Sequence, residues 1–496
     1  VKICVSQILS SNEEKAQMKG VSMFHMITLR HGNRLSLIKG NRNFSLKKAS
    51  TPEHLLYTDS QLWALLIPLM IEQFLDSFMG MADTMMVSRV GSAAISAVSL
   101  TDSINTLIIQ IFIALAAGGT IVCAQYLGQQ NTRRAHDAAN QLILTVLLMS
   151  TVCSILCIGF RKSLLSLVFG SVSEEVMRDS LIYFFITALS YPFFALFQVG
   201  GAIYRACGNS RFPMTIGVAS NLINIGGNAI LIFVLHYGVA GAAVSTLVSR
   251  IIAMVWVYFF LRKDKQTIVI RNYFAMRPHP EMIKRVLYVG IPAGIENGMF
   301  QFGKLAIQSS VSTLGTTAIA ANAMAAIFEN IDGVAGIGIG IGLMTVVGTC
   351  VGAGRRDQAK YYFLKLAFYA EIAITLSCLT MFALGRPVIA AAGMESHAAK
   401  LCFQMLIIIT ICKPILWVPS FIPPYGFRAA GDVNFSMIVS SLSMWFCRVA
   451  LTIFLIRVMH VGIVAVWIGM FTDWGVRGII YIVRFISGKW LNYHLA

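Results

Sequence analysis

Three carboxylates stand on one apolar stretch of this chain: Glu72, Asp76 and Asp83. If the stretch is helical, at about 100° per residue Asp76 lies about 40° and Asp83 about 20° around the axis from Glu72, so the three share a face. Glu72 and Asp83 are about 16 Å apart along that axis. A charge at the centre of a bilayer costs roughly 2.5–3.5 kcal/mol on insertion scales, so acids that persist there should look into a bundle or a wet cavity. Such a ladder can pass a proton or hold a cation. Asp83 is the leading candidate; capping or ion pairing is the plainer reading of Glu72 and Asp76. A second stretch supplies Asn221, Asn224 and Asn228, the last two one turn apart on one side. Their amides either join helices or coordinate a cation. A third supplies Glu296, Asn297, Gln301 and Lys304. Glu72, Asp76, Glu296, Gln301 and Lys304 form a secondary set of intramembrane polar candidates. A buried ammonium needs a carboxylate partner, and for Lys304 the choices are Glu329, Asp332 and Glu371. Arg448, Asp473 and Arg477 read first as structural pairs.

The elements that carry these groups must be membrane helices. Apolar residues make up 57% of the 496 and charged residues 12%, against roughly 25% charged in a soluble domain. Apolar runs of about 20 residues recur along the chain, long enough to span a bilayer. They do not alternate as barrel strands would, so helices must satisfy the backbone in lipid. Twelve spans are expected: 62–86, 98–126, 136–160, 181–203, 213–235, 240–261, 286–309, 319–350, 362–384, 400–426, 435–456 and 461–484.

The two halves repeat. Ile67-Pro68 and Glu72 return as Ile291-Pro292 and Glu296, 224 residues on (292 − 68). Gly91, Ala94, Ala97, Gly128 and Ala135 return as Gly315, Ala318, Ala321, Gly352 and Ala359. Arg205-Ala206-Cys207-Gly208-Asn209 returns as Arg428-Ala429-Ala430-Gly431-Asp432, now 223 on (428 − 205). Six spans per half is an even number, so both halves enter the membrane in the same sense and the repeat is parallel. The expected fold is an all-α polytopic membrane protein: twelve transmembrane helices in two pseudo-symmetric six-helix bundles around a central cleft. The expected domains are a basic, disordered cytoplasmic tail (1–60), an N-lobe (61–261), a cytoplasmic connector (262–285), a C-lobe (286–487) and a cytoplasmic tail (488–496).

The net charge of +17 is read as topology rather than nucleic-acid binding. Arg133-Arg134, Arg205, Arg211, the basic residues of 262–285 and Arg355-Arg356 fall in loops on one side. The other side holds Arg89 and Arg386, with Arg161-Lys162 the main exception. The positive-inside rule then puts both termini in the cytoplasm, in a multi-pass protein of the cytoplasmic (inner) membrane. No HExxH, GxSxG or phosphate-loop lysine motif indicates an enzyme. The run Gly333, Gly336, Gly338, Gly340, Gly342 sits in an apolar span, where close helix packing explains it. The ten cysteines are scattered and show no disulfide framework. No cofactor and no metal are expected, unless sodium binds at Asp83, Asn224 and Asn228.

Pro68, Asp83-Thr84, Val90-Gly91 with Ala94 and Ala97, Tyr126-Leu127-Gly128-Gln129 and Arg205-Ala206-Cys207-Gly208-Asn209 together resemble the MATE (multidrug and toxic compound extrusion) family, over roughly residues 55–485. The resemblance implies two six-helix lobes and export of organic, often cationic, compounds against entry of protons or sodium ions. The family's coupling acid in the first span falls on Asp83. Its N-lobe pair of an Asn with an Asp four residues later falls on Asn224 and Asn228, so the second member here is an amide. One branch of the family adds acids in spans seven and ten; Phe300-Gln301 stands near the first position and span ten has no acid.

The resulting reading is an antiporter coupled to protons or sodium that exports organic cations, drugs or other xenobiotics. Apolar contacts are expected from Phe78, Met79 and Met85. Acids outnumber bases at membrane depth, which favours cationic or neutral amphipathic substrates. One chain holds both halves of the cleft, so a monomer is expected. The competing readings are a flippase for lipid-linked saccharides and a non-transporting receptor or assembly factor.

Overall fold

A computed structural model of the chain describes residues 55–170, 173–263, 267–270 and 277–493. The expected N-terminal tail lies, up to residue 54, outside the described residues. The N-terminal half is built from α1 (Asp59–Ser88), α2 (Ser92–Gly128), α3 (Thr132–Gly159), the short α4 (Arg161–Phe169), α5 (Glu174–Leu189), α6 (Tyr191–Ala206), α7 (Arg211–Asn228) and α8 (Gly238–Leu261). The C-terminal half comprises α9 (Pro280–Val311), α10 (Thr316–Gly352), α11 (Arg356–Ala391), α12 (Ser396–Ala430), α13 (Val433–Ser443), α14 (Leu451–Arg457) and α15 (Val464–Ile486). A π-helical turn, Ala229–Val234, extends α7, and another, Met444–Ala450, joins α13 to α14.

Ten of these helical units are long and apolar enough to cross a membrane, and α5 with α6, bent by 41°, makes an eleventh. The single span expected over 181–203 is thus broken. Pro192, in the first turn of α6, offers no N–H to continue the α5 ladder, and the Ser190 N–H turns back to Thr187 O at 3.0 Å. The twelfth pass is α9: its 32 residues reach about 48 Å, but Glu296, Asn297, Gln301 and Lys304 lower its hydropathy. It begins at Pro280, a favoured first helical position for proline, six residues before the expected boundary at 286. At the other end of the chain Trp490 is buried against Phe363, Phe427 and Phe485.

The halves meet at the end that carries both described termini. Thr58 caps α1 in a capping box with Gln61. Just before it, Leu56 N donates to Gln358 and Tyr57 N to the Tyr362 hydroxyl, at 3.1 and 2.9 Å. Asp59 pairs with Lys365, and Trp63 stacks on Tyr369 at 4.9 Å. Deeper in, backbones touch. A Cβ on Gly128 would lie 2.2 Å from Thr349 O, and one on Gly352 would lie 2.0 Å from Gln125 O. Both pairs are repeat equivalents, so the pseudo-twofold axis passes between α2 and α10. A Cβ on Gly118 would likewise lie 2.9 Å from the Gly290 backbone, and one on Gly338 2.9 Å from the Met70 backbone.

Going toward the opposite end, Asn297 reaches Gln110 at 3.4 Å. Beyond that level, the side-chain pairs among the described residues stay within one half. The halves form a V, closed at the terminus end and parted at the other. Near its apex a cavity of about 370 Å³ separates α1 from α10 and α11, lined by Met70, Phe74, Leu75, Ile331, Val334 and Met381.

Candidate functional site

In the parted region of the N-terminal half, α1 packs on α7, and the acidic stripe of α1 turns toward that helix. Asn228 Nδ2 donates to Asp83 Oδ1 at 2.7 Å. With the Asn224 amide oriented so that both of its atoms are satisfied, its nitrogen also donates to Asp83 Oδ1, at 2.9 Å. Its oxygen then accepts from Thr246 Oγ1 and N, at 3.1 and 3.2 Å. Asp83, Asn224 and Asn228, named from sequence, therefore converge on one point. Asp83 Oδ2 carries no hydrogen bond among the described residues, and Asn228 Oδ1 is a buried acceptor without a donor. A small core of Val87, Ala94, Val98, Tyr183, Ile232, Val239, Ala242 and Ala243 fixes this end of the lobe. The π-helical turn begins directly after Asn228.

Two charged neighbours escaped the sequence reading. Asp102 on α2 is an electrostatic neighbour of Asp83; it accepts from Asn105 Nδ2 at 3.1 Å and is hydrogen-bonded to Tyr183. Asn105 also accepts from the Tyr191 hydroxyl at 2.6 Å. Arg250 on α8 donates to Ser190 Oγ at 2.7 Å, at the break between α5 and α6, and it is a charge neighbour of both aspartates. The signal was available: Asp102 and Arg250 are ionisable residues inside expected spans, which mark function by default. Asp83 Oδ2 and Asn228 Oδ1 are unengaged oxygens here, the ligand type a hard cation such as sodium takes. Two aspartates sharing one region suit a proton equally well.

The secondary candidates separate. Glu72 forms an ion pair with Arg205 at 3.2 Å, and its repeat equivalent Glu296 forms one with Arg428 at 3.9 Å. All four side chains are nearly buried. The repeated Arg-Ala motif is thus the partner of the repeated glutamate, and both pairs tie helices within a lobe. Asp76 is exposed beside the crevice, with a hydrogen bond to Asn221. Gln301 is half-buried on α9.

Lys304 forms no ion pair with Glu329, Asp332 or Glu371 among the described residues, although Glu329 is its charge neighbour. Glu329 pairs with the fully buried Lys413 of α12, at 3.1 Å and through its own carbonyl. Lys413 was another residue the sequence reading passed over. Asp473 accepts from Ser443 at 2.6 Å and lies 3.6 Å from Arg477, a structural pair as read. Arg448 does not join it in an ion pair among the described residues. Of the apolar contacts expected on α1, Phe78 and Met85 are exposed, on the face continued from the cavity-lining Phe74. Met79 is buried instead, because its position on the helix turns it into the N-terminal half.

Comparison with known proteins agrees with this architecture. The sequence model of the MatE family matches residues 68–230 and 292–454, once in each half. The uncharacterized transporter YisQ of Bacillus subtilis is 25% identical over 440 residues, covering 88% of this chain and 96% of that protein. The probable multidrug resistance protein NorM of Thermotoga maritima is 24% identical over 460 residues, covering 90% and 95%. A solved structure described as the outward-facing conformation of a multidrug resistance MATE family transporter superimposes with a TM-score of 0.80 at 21% identity, covering 86% of this chain and 96% of that one.

Proposed function

The chain belongs to the MatE family, as a multi-pass membrane protein and secondary transporter rather than an enzyme, and from that premise we propose that it is an ion-coupled antiporter exporting small organic molecules by alternating access. The observation that carries the proposal is Asp83. Two amide donors hold one of its oxygens while the other is open, in the region where the lobes part.

An ion or proton shifts a two-state equilibrium only through different affinities for the two states. Charged Asp83 favours one packing of α1 on α7; a proton or sodium at Oδ2 removes the uncompensated charge and favours the other. One pH unit supplies about 1.4 kcal/mol per proton, and 100 mV of membrane potential about 2.3 kcal/mol per charge. Basic loops on the terminus side support a cytoplasmic location for both termini, with the crevice opening outward. The apolar face of α1, from Phe74 to Met85, supplies adaptable contacts. One chain contains both lobes, so it works as a monomer.

The test is flux of cationic and anionic fluorescent dyes in everted membrane vesicles. Transport should collapse with a protonophore or with sodium removal, whichever ion is coupled. Asp83→Asn should abolish it while leaving expression intact, because an amide oxygen still accepts from Asn224 and Asn228. Wild-type flux from that variant would refute the coupling role.

A further inference from the structure

We propose that the C-terminal wall of the crevice is an anion site, where Lys304 and Arg448 receive the carboxylate or phosphate group of an amphiphilic organic substrate. The inference rests on the crevice being the transport route and adds the substrate's charge.

Four membrane-depth acids are already taken: Glu72, Glu296, Glu329 and Asp473 pair with Arg205, Arg428, Lys413 and Arg477. The groups without an ion pair among the described residues fall in both lobes, with Asp332 and Glu371 among those of the C-terminal one. Asp83 and Asp102 belong to the N-terminal lobe, where the nearby cation is Arg250. Lys304 and Arg448 belong to the C-terminal lobe. The total excess of acids over bases therefore does not describe the surroundings of Phe300, where Lys304, Arg448 and Arg477 gather, and the expectation of a cationic or neutral substrate does not extend to them.

Lys304 faces the crevice. It lies seven residues beyond Asn297, which touches Gln110 of the other lobe. Seven residues bring a helix back to within about 20° and carry it about 10 Å further along. Lys304 thus repeats the inter-lobe face of α9 where the lobes have separated, and it is exposed. Its ammonium makes no hydrogen bond or ion pair among the described residues; it lies 5.7 Å from the centre of the Phe300 ring. The Arg448 guanidinium is 5.4 Å from the same ring, and its buried Nε has no acceptor. Arg448 sits in a π-helical turn, a distortion often found at functional sites. Arg477 lies 5.7 Å from the same ring. Glu329 and Asp473 are charge neighbours of this cluster but are paired to Lys413 and Arg477, which leaves Lys304 and Arg448 to receive an anion.

The repeat shows that this polarity is specific to one lobe. At the local offsets of 224 and 223, Lys304 stands where the first half has Gly80 and Arg448 where it has Ile225, between Asn224 and Asn228. Asn105 becomes Glu329, and Arg250 becomes Asp473. The two lobes thus carry equivalent polar centres of different make-up: Asp83 and Asp102 with one nearby cation, Arg250, in the first, and Lys304, Arg448, Lys413 and Arg477 with Glu329 and Asp473 in the second.

Equilibrium binding to the purified full chain in nanodiscs tests this, with radiolabelled 1-naphthoate and trimethyl(1-naphthyl)ammonium as matched probes. Naphthoate should bind at least about tenfold more tightly than the ammonium. Lys304→Gln should remove about tenfold of its affinity, as loss of a charged hydrogen bond requires, and Lys304→Arg should keep it. Lys304→Glu should invert the preference. Lys304 is exposed, so these variants do not disturb packing; Arg448→Gln is the confirming variant. Equal binding of the two probes, or naphthoate affinity unchanged in Lys304→Gln, would overturn the proposal. Displacement of naphthoate by a short polyprenyl diphosphate at lower concentration than by naphthoate itself would support the anion site and identify a lipid carrier as the source of the phosphate group. No gradient is present in this assay, so its failure is separate from failure of ion-driven flux.

Discussion

At the scale of single residues, identical chemistry has different consequences in different surroundings. Glu72 and Asp83 are carboxylates on one face of α1, yet Glu72 is closed by Arg205 and Asp83 is held by neutral amides. Breaking a buried ion pair by removing one partner leaves an uncompensated charge and costs about 3–5 kcal/mol. Arg205→Leu should therefore lower thermal stability by about 3 kcal/mol, and adding Glu72→Leu should restore part of it. Thermal unfolding of the purified variants measures this; additive losses would show that the pair is not coupled. Asp83→Asn should instead keep the stability and lose the flux.

At the scale of elements, α10 shows how one glycine run serves two interfaces. A Cβ on Gly336 or Gly340 would strike the rings of Trp417 or Tyr425 on α12, within the C-terminal half. One on Gly338 or Gly342 would strike the Met70 backbone or the Leu66 side chain of α1, across the halves. Overpacking a tight core costs roughly 1–3 kcal/mol, but the consequence differs by face. Gly340→Val should lower unfolding stability and leave the lobe arrangement unchanged. Gly338→Val meets backbone that cannot move aside and should drive the lobes apart at the terminus end. Distances between spin labels on the two lobes, measured for both variants, separate these outcomes.

At the scale of the whole molecule, closure is concentrated at one end. Tyr57 is half-buried there, and its loss of solvent pushes its phenol up to about 12, so it stays a neutral donor to Thr349 Oγ1 at 3.0 Å. Leu56 and Gln358 are neighbours across the halves. If transport requires this end to open, bridging Leu56→Cys and Gln358→Cys with a short cleavable thiol reagent should cut flux by about tenfold or more, as a trapped population requires, and cleavage should restore it. Undiminished flux in the bridged protein would rule out rocking of the two halves.

The sequence by itself determined the helical class, the twelve passes and the parallel duplication, and it named Asp83, Asn224 and Asn228 as candidates whose contact the packing of α1 on α7 supplied. Apolar length, a repeat offset and helical periodicity are local properties, and lipid enforces them by leaving no alternative for the backbone. Only the tertiary structure decided which charges are neutralised. Glu329 took Lys413 rather than Lys304 because helix packing brought α12 to it. Asp102 and Arg250 joined Asp83 across α2 and α8 for the same reason. Ion pairing depends on distances of a few ångströms between helices remote in sequence, and the identity of a buried charge's partner is set by the packing of whole elements.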